Sequence, residues 1–297
     1  MKTRKAIAFI PEFKFDYVLS RKIKLTQNIH LVAENSKVAT DFRNDIEAKG
    51  YKISGGGYLY FEGNLKEDGT LYEVFQGYSL ALTFFHPKGR ATCRAVKELD
   101  SDGNVQLFID EYDKFGYEPE DVIHLKPLKI KEVKSIYSRV EAQLENKDFN
   151  PLRNSLEFFM LFLSEKPIRT RLLYLSICLE SILLEGESEG LAYKLGIRCA
   201  NLLNAFYRGV SMESIFEEIK NGYMLRSKII HGDDYKGASE KIIRRRGGTA
   251  TELGHVLNLE TVVKDILAVI FSNQDLYELS IYSKLGKEID QKYILDC

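Results

Sequence analysis

The sequence predicts an α+β protein, with a β-rich N-terminal domain followed by an all-α helical bundle. In the first half, short apolar segments alternate with turn-forming runs such as Asp100–Asn104. In the second half, apolar residues recur at the helical period instead. The polar run Asn146–Asn150 before Pro151 separates the two patterns, and we therefore place the domains at 1–147 and 148–297.

The N-terminal domain is predicted to contain short strands and little helix. The elements are strands at 5–10, 29–33 and 122–125, an amphipathic helix at 37–49, and two hairpins that pair 51–62 with 71–85 and 91–99 with 105–111. Its many aromatic residues suit a sheet core, although a ligand platform stays an alternative. A role in sensing, substrate selection or dimer regulation stays open for this domain.

The C-terminal domain is predicted to be a helical bundle. A charged connecting helix at 129–147 is predicted to precede it. Its helices are expected at 152–164, 168–185, 189–207, 212–231, 256–273 and 275–285. The second of these is apolar almost all round, which is typical of the central helix of a bundle. The one charged residue between Leu172 and Leu184 of that helix is Glu180.

The helix at 212–231 carries the residues that suit chemistry. Ser211 is a good N-cap, and glycine at position 232 suits the residue after a C-terminus. Arg226 falls inside the apolar stripe of this helix, where an unpaired charge is costly, so we expect it to pair with Glu180. His231 follows after four residues, about 140° around a regular helix from Arg226. A frayed last turn or a second subunit would bring the two side chains together.

Composition excludes several classes of protein. Basic and acidic residues are balanced, 42 against 43, so whole-chain charge does not indicate a nucleic-acid binder. The four cysteines form no Cys-x-x-Cys pair, which is typical of a reduced, cytoplasmic protein. The five histidines show no metal-ligand spacing, and no phosphate-binding or dinucleotide motif is present, so no metal and no cofactor are expected. The apolar runs are too short to span a membrane.

A basic segment lies in the predicted loop 233–255, between two helices. It contains Lys241 and the run Arg244, Arg245 and Arg246, followed by two glycines. These side chains suit a loop that binds RNA phosphates close to His231. A solvated surface loop is the alternative.

Three segments, in order, resemble the HEPN superfamily and most closely its Apea-like branch. They are Cys178–Leu184, Leu191–Leu203 and Tyr223–Gly232, and the last contains the Arg-x4-His signature. The resemblance covers about 151–275, so it concerns the C-terminal half only. It implies a HEPN-type bundle over 148–297 that forms a homodimer through its helices.

The resemblance also implies a metal-independent endoribonuclease. Arg226 and His231 would be catalytic, Glu180 and Ser227 would support them, and Lys228 would contact a phosphate or be merely exposed. The branch suggests bacterial antiviral defence through abortive infection, or a toxin with an antitoxin partner; a trigger or neutralising partner would bind the N-terminal domain. Two alternatives stay open: a catalytically silent module that binds RNA or protein, with His231 only stabilising the helix end, and a ligand sensor acting through residues 1–147.

Overall fold

The α+β class is confirmed, with an antiparallel sheet in the N-terminal part and helices in the C-terminal part. The computed structural model of the chain describes residues 4–10, 13–15, 23–32, 34–49, 57–64, 70–85, 95–99, 105–109, 123–125, 129–165, 167–245 and 252–294. The chain divides into two compact units, Met1–Glu141 and Ala142–Cys297. The division falls inside the connecting helix, whereas the sequence placed it after residue 147.

The described residues of the first unit contain most of the predicted strands and three helices. Its strands are β1 (Arg4–Ile10), β2 (Phe13–Phe15), β3 (Ile23–Lys24), β4 (Ile29–Val32), β5 (Gly57–Gly63), β6 (Ala95–Leu99), β7 (Val105–Ile109) and β8 (Ile123–Leu125). Its helices are α1 (Lys37–Ala48), α2 (Leu71–Phe85) and α3 (Ile130–Glu145), and α3 continues into the second unit.

Six of the described strands form one antiparallel sheet in the order β3-β4-β5-β1-β6-β7. The predicted β6–β7 hairpin is confirmed. β1 lies between β5 and β6, and its residues from Ala6 to Ile10 are all buried. Helix α1 places Phe42 and Ile46 in a core with sheet residues such as Tyr58. A separate parallel pair joins β2 to β8.

The hairpin predicted between 51–62 and 71–85 is wrong, because 71–85 is helix α2 and β5 pairs with β1 and β4 instead. A strand of fifteen residues would be unusually long. Both Ser79 and Thr83 donate a hydroxyl hydrogen bond to the carbonyl four residues earlier, a pattern that suits a buried helix. The aromatic ring of Tyr78 stacks on Tyr137 of α3, with 3.6 Å between the ring centroids. The expectation of little helix in this domain is therefore also wrong.

The second unit consists of helices. They are α4 (Pro151–Ser164), α5 (Ile168–Leu183), α6 (Leu191–Phe206), α7 (Met212–His231), α8 (Tyr235–Arg245), α9 (Glu252–Ser272), α10 (Gln274–Ile281) and α11 (Leu285–Ile289), followed by a π-helical turn at Asp290–Ile294. Helix α5 packs against α4, α7 and α9, as expected for a central helix. In the described part of the chain, no helix is both long and apolar enough to cross a membrane.

Helix α8 was not predicted, because 233–255 was expected to be a loop. Tyr235, Ser239 and Ile242 are buried and recur at helical spacing, so one narrow face of α8 packs on the bundle. Asp234 stabilises the start of the helix, since its carboxylate accepts a hydrogen bond from the Gly237 amide at 2.9 Å. A strongly charged segment with only three inward positions gives a weak apolar pattern in the sequence.

Candidate functional site

Helix α7 stays regular through His231. It begins at the N-cap Ser211, whose hydroxyl accepts a hydrogen bond from the Ser214 amide at 3.2 Å. It ends at Gly232, whose φ of 69° lies in the left-handed region that glycine tolerates. The Asp233 amide donates to the Lys228 carbonyl at 3.0 Å, and the Gly232 amide donates to the Ile229 carbonyl. These bonds form a Schellman motif that closes the last turn of the helix.

A regular α7 keeps the two predicted catalytic groups apart within one chain. Five helical positions separate Arg226 from His231, so their side chains leave the helix about 140° apart. Arg226 lies on the side that faces α5, whereas His231 is exposed to solvent at the helix end. In this structure the last turn of α7 is helical, and the two side chains are not brought together within one chain.

Arg226 forms the ion pair with Glu180 that the sequence predicts. Its Nη2 donates to Glu180 Oε2 at 3.0 Å and joins α7 to the central helix α5. The side chains of Arg226 and Glu180 are 22% and 19% exposed, so the pair lies at the edge of the core. A ligand arriving from solvent can therefore reach this pair.

The Arg226 guanidinium also lies over the ring of Tyr223, with 5.4 Å between Cζ and the ring centroid. A cation over an aromatic face is attracted by the quadrupole of the ring. This contact of Tyr223 was not predicted from the sequence. The signal was available, because residues three apart on a helix are neighbours on its surface.

Burial raises the pKa of the Glu180 carboxyl above its ordinary value, and the charge of Arg226 opposes part of that rise. Burial also raises the pKa of Tyr223, and the negative charge of Glu180 adds to the effect. The site therefore combines a fixed cation with a carboxylate that its surroundings solvate poorly.

The hydrogen bonding of this pair is incomplete within the described residues. Arg226 Nε and Glu180 Oε1 are both buried, and neither has a hydrogen-bond partner there. A buried donor or acceptor left in this way costs about 1–3 kcal/mol. Such atoms call for a partner, which an ordered water, an ion or a bound ligand can supply.

The residues next to Arg226 have less distinctive surroundings. Ser227 is half-buried. Lys228 pairs with Asp233 at 3.0 Å, so it would have to leave that carboxylate to contact a phosphate. Ile230 is apolar but 49% exposed, because the end of α7 is only partly covered.

Three of the four predicted RNA-binding residues of the basic segment lie on α8. Lys241, Arg244 and Arg245 are exposed and fall within about 100° of the helix circumference. Arg244 Nη2 also donates to Glu240 Oε2 at 3.2 Å in an exposed pair. The i, i+4 spacing of Glu240 and Arg244 indicates such a pair, although it was not predicted from the sequence. Arg246 lies outside the described residues.

Among the described residues, no group of three His, Cys, Asp or Glu side chains is arranged so that it would hold a metal ion. The thiols of Cys178 and Cys199 are buried and free, and burial raises the pKa of each. Comparisons with protein-family models, with curated proteins and with solved structures find no match to this chain.

Proposed function

We propose that this chain is a metal-independent endoribonuclease of the HEPN type. The observation that carries the proposal is the accessible pair of Arg226 and Glu180, in which Arg226 Nε has no partner among the described residues, together with exposed His231 on the same helix. A planar cation and an imidazole are the two groups that RNA cleavage by the 2′-hydroxyl requires.

In this reaction the 2′-oxygen attacks the adjacent phosphorus while a general base removes its proton. The bond from phosphorus to the 5′-oxygen breaks, and a general acid protonates that oxygen. Arg226 binds the phosphate and stabilises the charge that develops on its nonbridging oxygens. His231 transfers the proton, and Glu180 holds Arg226 in place. The products are a 2′,3′-cyclic phosphate and a 5′-hydroxyl.

The separation of Arg226 from His231 supports a site built from two copies of the chain. Two-fold pairing along α7 would place His231 of one copy beside Arg226 of the other. Exposed Ile230 and Met224 supply apolar surface at this end of the helix. Lys241, Arg244 and Arg245 of α8, with Lys228, would bind phosphates that flank the cleaved bond.

The first test is cleavage of total RNA and of transfer RNA in excess EDTA. The expected result is cleavage by wild type that ends in a cyclic phosphate, and its loss in Arg226→Ala and His231→Ala. Arg208→Ala and Lys220→Ala are matched controls, because both residues are exposed and lie in the same hairpin of helices. Equal cleavage by all five proteins would locate the activity elsewhere or in a contaminant.

Mixing the two inactive variants tests the shared site. Half of the dimers in an equal mixture contain one of each variant, and one of their two composite sites is intact, so about a quarter of wild-type cleavage should return. If each site lies within one chain, the mixture stays as inactive as its components.

The defence context is part of the same proposal. Expression of the wild-type chain in a bacterial host is expected to arrest growth, whereas the His231→Ala chain is tolerated at the same level of protein. Tolerance of both would argue against a toxin that acts without a trigger.

A catalytically silent RNA-binding module is the second candidate. Two observations favour it. Arg226 Nη2 already donates to Glu180, and His231 leaves α7 about 140° around the helix from Arg226. RNA binding that weakens in Arg226→Ala, with no cleavage by wild type under any condition, would establish this reading.

A further inference from the structure

Arg198 of α6 lies at the centre of a second cluster of charges in the bundle. Its side chain is 2% exposed. Its Nε donates to Asp290 Oδ1 at 2.9 Å, and its Nη2 donates to Asp290 Oδ2 and, at 2.8 Å, to Glu187 Oε1. Its Nη1 donates to the carbonyl of Leu183. One guanidinium therefore joins three segments to α6: the end of α5, the connection that follows α5, and the π-helical turn.

The contact with Leu183 reaches the turn of α5 that carries Glu180. Leu183 is the last residue of α5, and its carbonyl is one of those that a helix end leaves without an intrahelical partner. The Glu180 carbonyl accepts from the Leu184 amide at 3.0 Å, immediately after the residue that Arg198 holds. Any movement of this helix end therefore moves the backbone of Glu180.

The C-terminal helix α11 packs directly on this contact. A Cβ atom added to Gly286 would lie 2.5 Å from the Leu183 carbonyl oxygen and 2.8 Å from Arg198 Nη1. Both distances are too short for any side chain, so only glycine allows the backbone of α11 to approach so closely. The segment 285–294 thereby closes over Arg198 and the end of α5.

Glu187 adds a second, more exposed connection to the cluster. Its carboxylate accepts hydrogen bonds from Lys194 and from Arg198, which together lower its pKa to about 2. Lys194 Nζ donates to Glu187 Oε2, whereas Arg198 donates to Oε1 of the same carboxylate. Replacing Lys194 therefore offers a control that changes the charge of the cluster and leaves the hydrogen bond from Arg198 to the Leu183 carbonyl in place.

We propose that Arg198 is a positioning residue: with Asp290 and Gly286 it fixes the last turn of α5, and so sets where Glu180 holds Arg226. Its effect on the geometry of the Arg226–Glu180 pair does not depend on whether the protein cleaves RNA. Its effect on catalysis rests on the proposed ribonuclease function, because only then does misplacement of Arg226 slow a reaction. A residue that served stability alone would lower the unfolding temperature without disturbing the pair in the folded protein.

The test compares Asp290→Asn, Gly286→Ala and Arg198→Lys with the control Lys194→Gln, at a temperature where circular dichroism shows each to be folded. The first readout is the ¹H–¹⁵N resonance of Arg226 Nε, assigned by its disappearance in Arg226→Lys. The second is the hydrogen exchange of the Leu184 amide. The third is RNA cleavage, with kcat and KM measured separately.

We expect Asp290→Asn, Gly286→Ala and Arg198→Lys to shift or broaden the Arg226 Nε resonance and to speed hydrogen exchange at the Leu184 amide. We expect kcat to fall about 10- to 100-fold with little change in KM, since a misplaced catalytic group costs about that much. Lys194→Gln should leave all three readouts at wild-type values. Asp290→Asn keeps the shape of its side chain, so it serves if Gly286→Ala does not fold.

An unchanged Arg226 resonance and unchanged Leu184 exchange in folded Asp290→Asn and Arg198→Lys would overturn the proposal, whether or not the protein cleaves RNA. A shifted resonance in a protein whose wild type cleaves no RNA would uphold the positioning role and would refute the proposed function instead. A fall in kcat equal to that in the Lys194→Gln control would also overturn the proposal.

Discussion

Arg198 and Arg226 lie in the same helical bundle, and each pairs with a carboxylate, yet the two arginines differ in how completely their N–H groups are used. Arg198 is buried, and its three nitrogens all donate to carboxylates or to a carbonyl. Arg226 is partly exposed, and it donates one hydrogen bond while its Nε has no partner among the described residues. The first is a satisfied structural charge, and the second is a cation that can still bind something.

Both arginines lie in the segments that predicted a HEPN-type protein from the sequence, so that prediction alone does not separate them. What separates them is hydrogen bonding. A buried arginine whose three nitrogens all donate loses fold stability when it is replaced, whereas a partly exposed arginine with unused donors loses binding. Replacing each arginine and its carboxylate partners tests this distinction.

Replacement by methionine should affect the stability of the two sites very differently. Arg198→Met removes a buried guanidinium, leaves the Leu183 carbonyl without its donor and should cost about 1–3 kcal/mol in the free energy of unfolding. Arg226→Met removes one hydrogen bond to a partly buried carboxylate, which can take up a proton instead, and should cost less, about 1 kcal/mol. Urea denaturation of both variants, with Arg208→Met as the exposed control, measures the difference. Equal losses at the two sites would show that spare donors do not mark a functional arginine here.

A neutral replacement of Glu180 should weaken function more than stability. In Glu180→Gln the side chain keeps its size but loses the charge that orients Arg226, so we expect cleavage to fall about 10- to 100-fold. The raised pKa shows that burial already disfavours the Glu180 carboxylate, so the loss of its charge should cost little stability. RNA cleavage and urea denaturation of the same preparation check both parts. A large loss of stability with unchanged cleavage would make this ion pair purely structural.

The two carboxylates should also change stability with pH in opposite directions. The pKa of Glu187 is lowered from 4.5 to about 2, so its contribution is present above 4.5 and is lost as the pH falls towards 2. The pKa of Glu180 is raised above 4.5, so its contribution is present at low pH and is lost as the pH rises through its folded value. Urea denaturation of wild type, Glu187→Gln and Glu180→Gln between pH 3 and pH 7 measures both slopes. Slopes of the same sign would contradict the assignment.

The sequence predicted the Arg226–Glu180 pair because each residue is a charge on an otherwise apolar helix face, and such charges need partners. The Arg198 cluster was not predictable in the same way. Its main partner, Asp290, is 92 positions away, and no periodicity connects the two residues. Long-range pairs of this kind become visible only when the helices are assembled.

The errors in the predicted secondary structure of α2 and α8 also have physical causes. Helix α2 is buried on nearly every side, so its sequence lacks the polar face that distinguishes a helix from a buried strand. Helix α8 has the opposite composition, with too few apolar residues to show a stripe until Tyr235, Ser239 and Ile242 are known to face inward. The exposure of Ile230 depends on where neighbouring helices end, which the pattern of one helix does not record.

The cations of helix α8 are exposed, unlike Arg198 and Arg226, so their replacement should have the smallest effect on the free energy of unfolding. Lys241→Gln and Arg245→Gln should each change the free energy of unfolding by less than about 0.5 kcal/mol, since surface substitutions seldom do more. If α8 binds RNA, each should reduce the slope of log affinity against log salt by about 0.7, the value for one phosphate contact on a single strand. Lys236→Gln is the matched control, because Lys236 is exposed on the same helix but lies about 140° or more around it from these residues. An equal change of slope in all three variants would mean that RNA senses only the net charge of the protein, and that α8 presents no binding face.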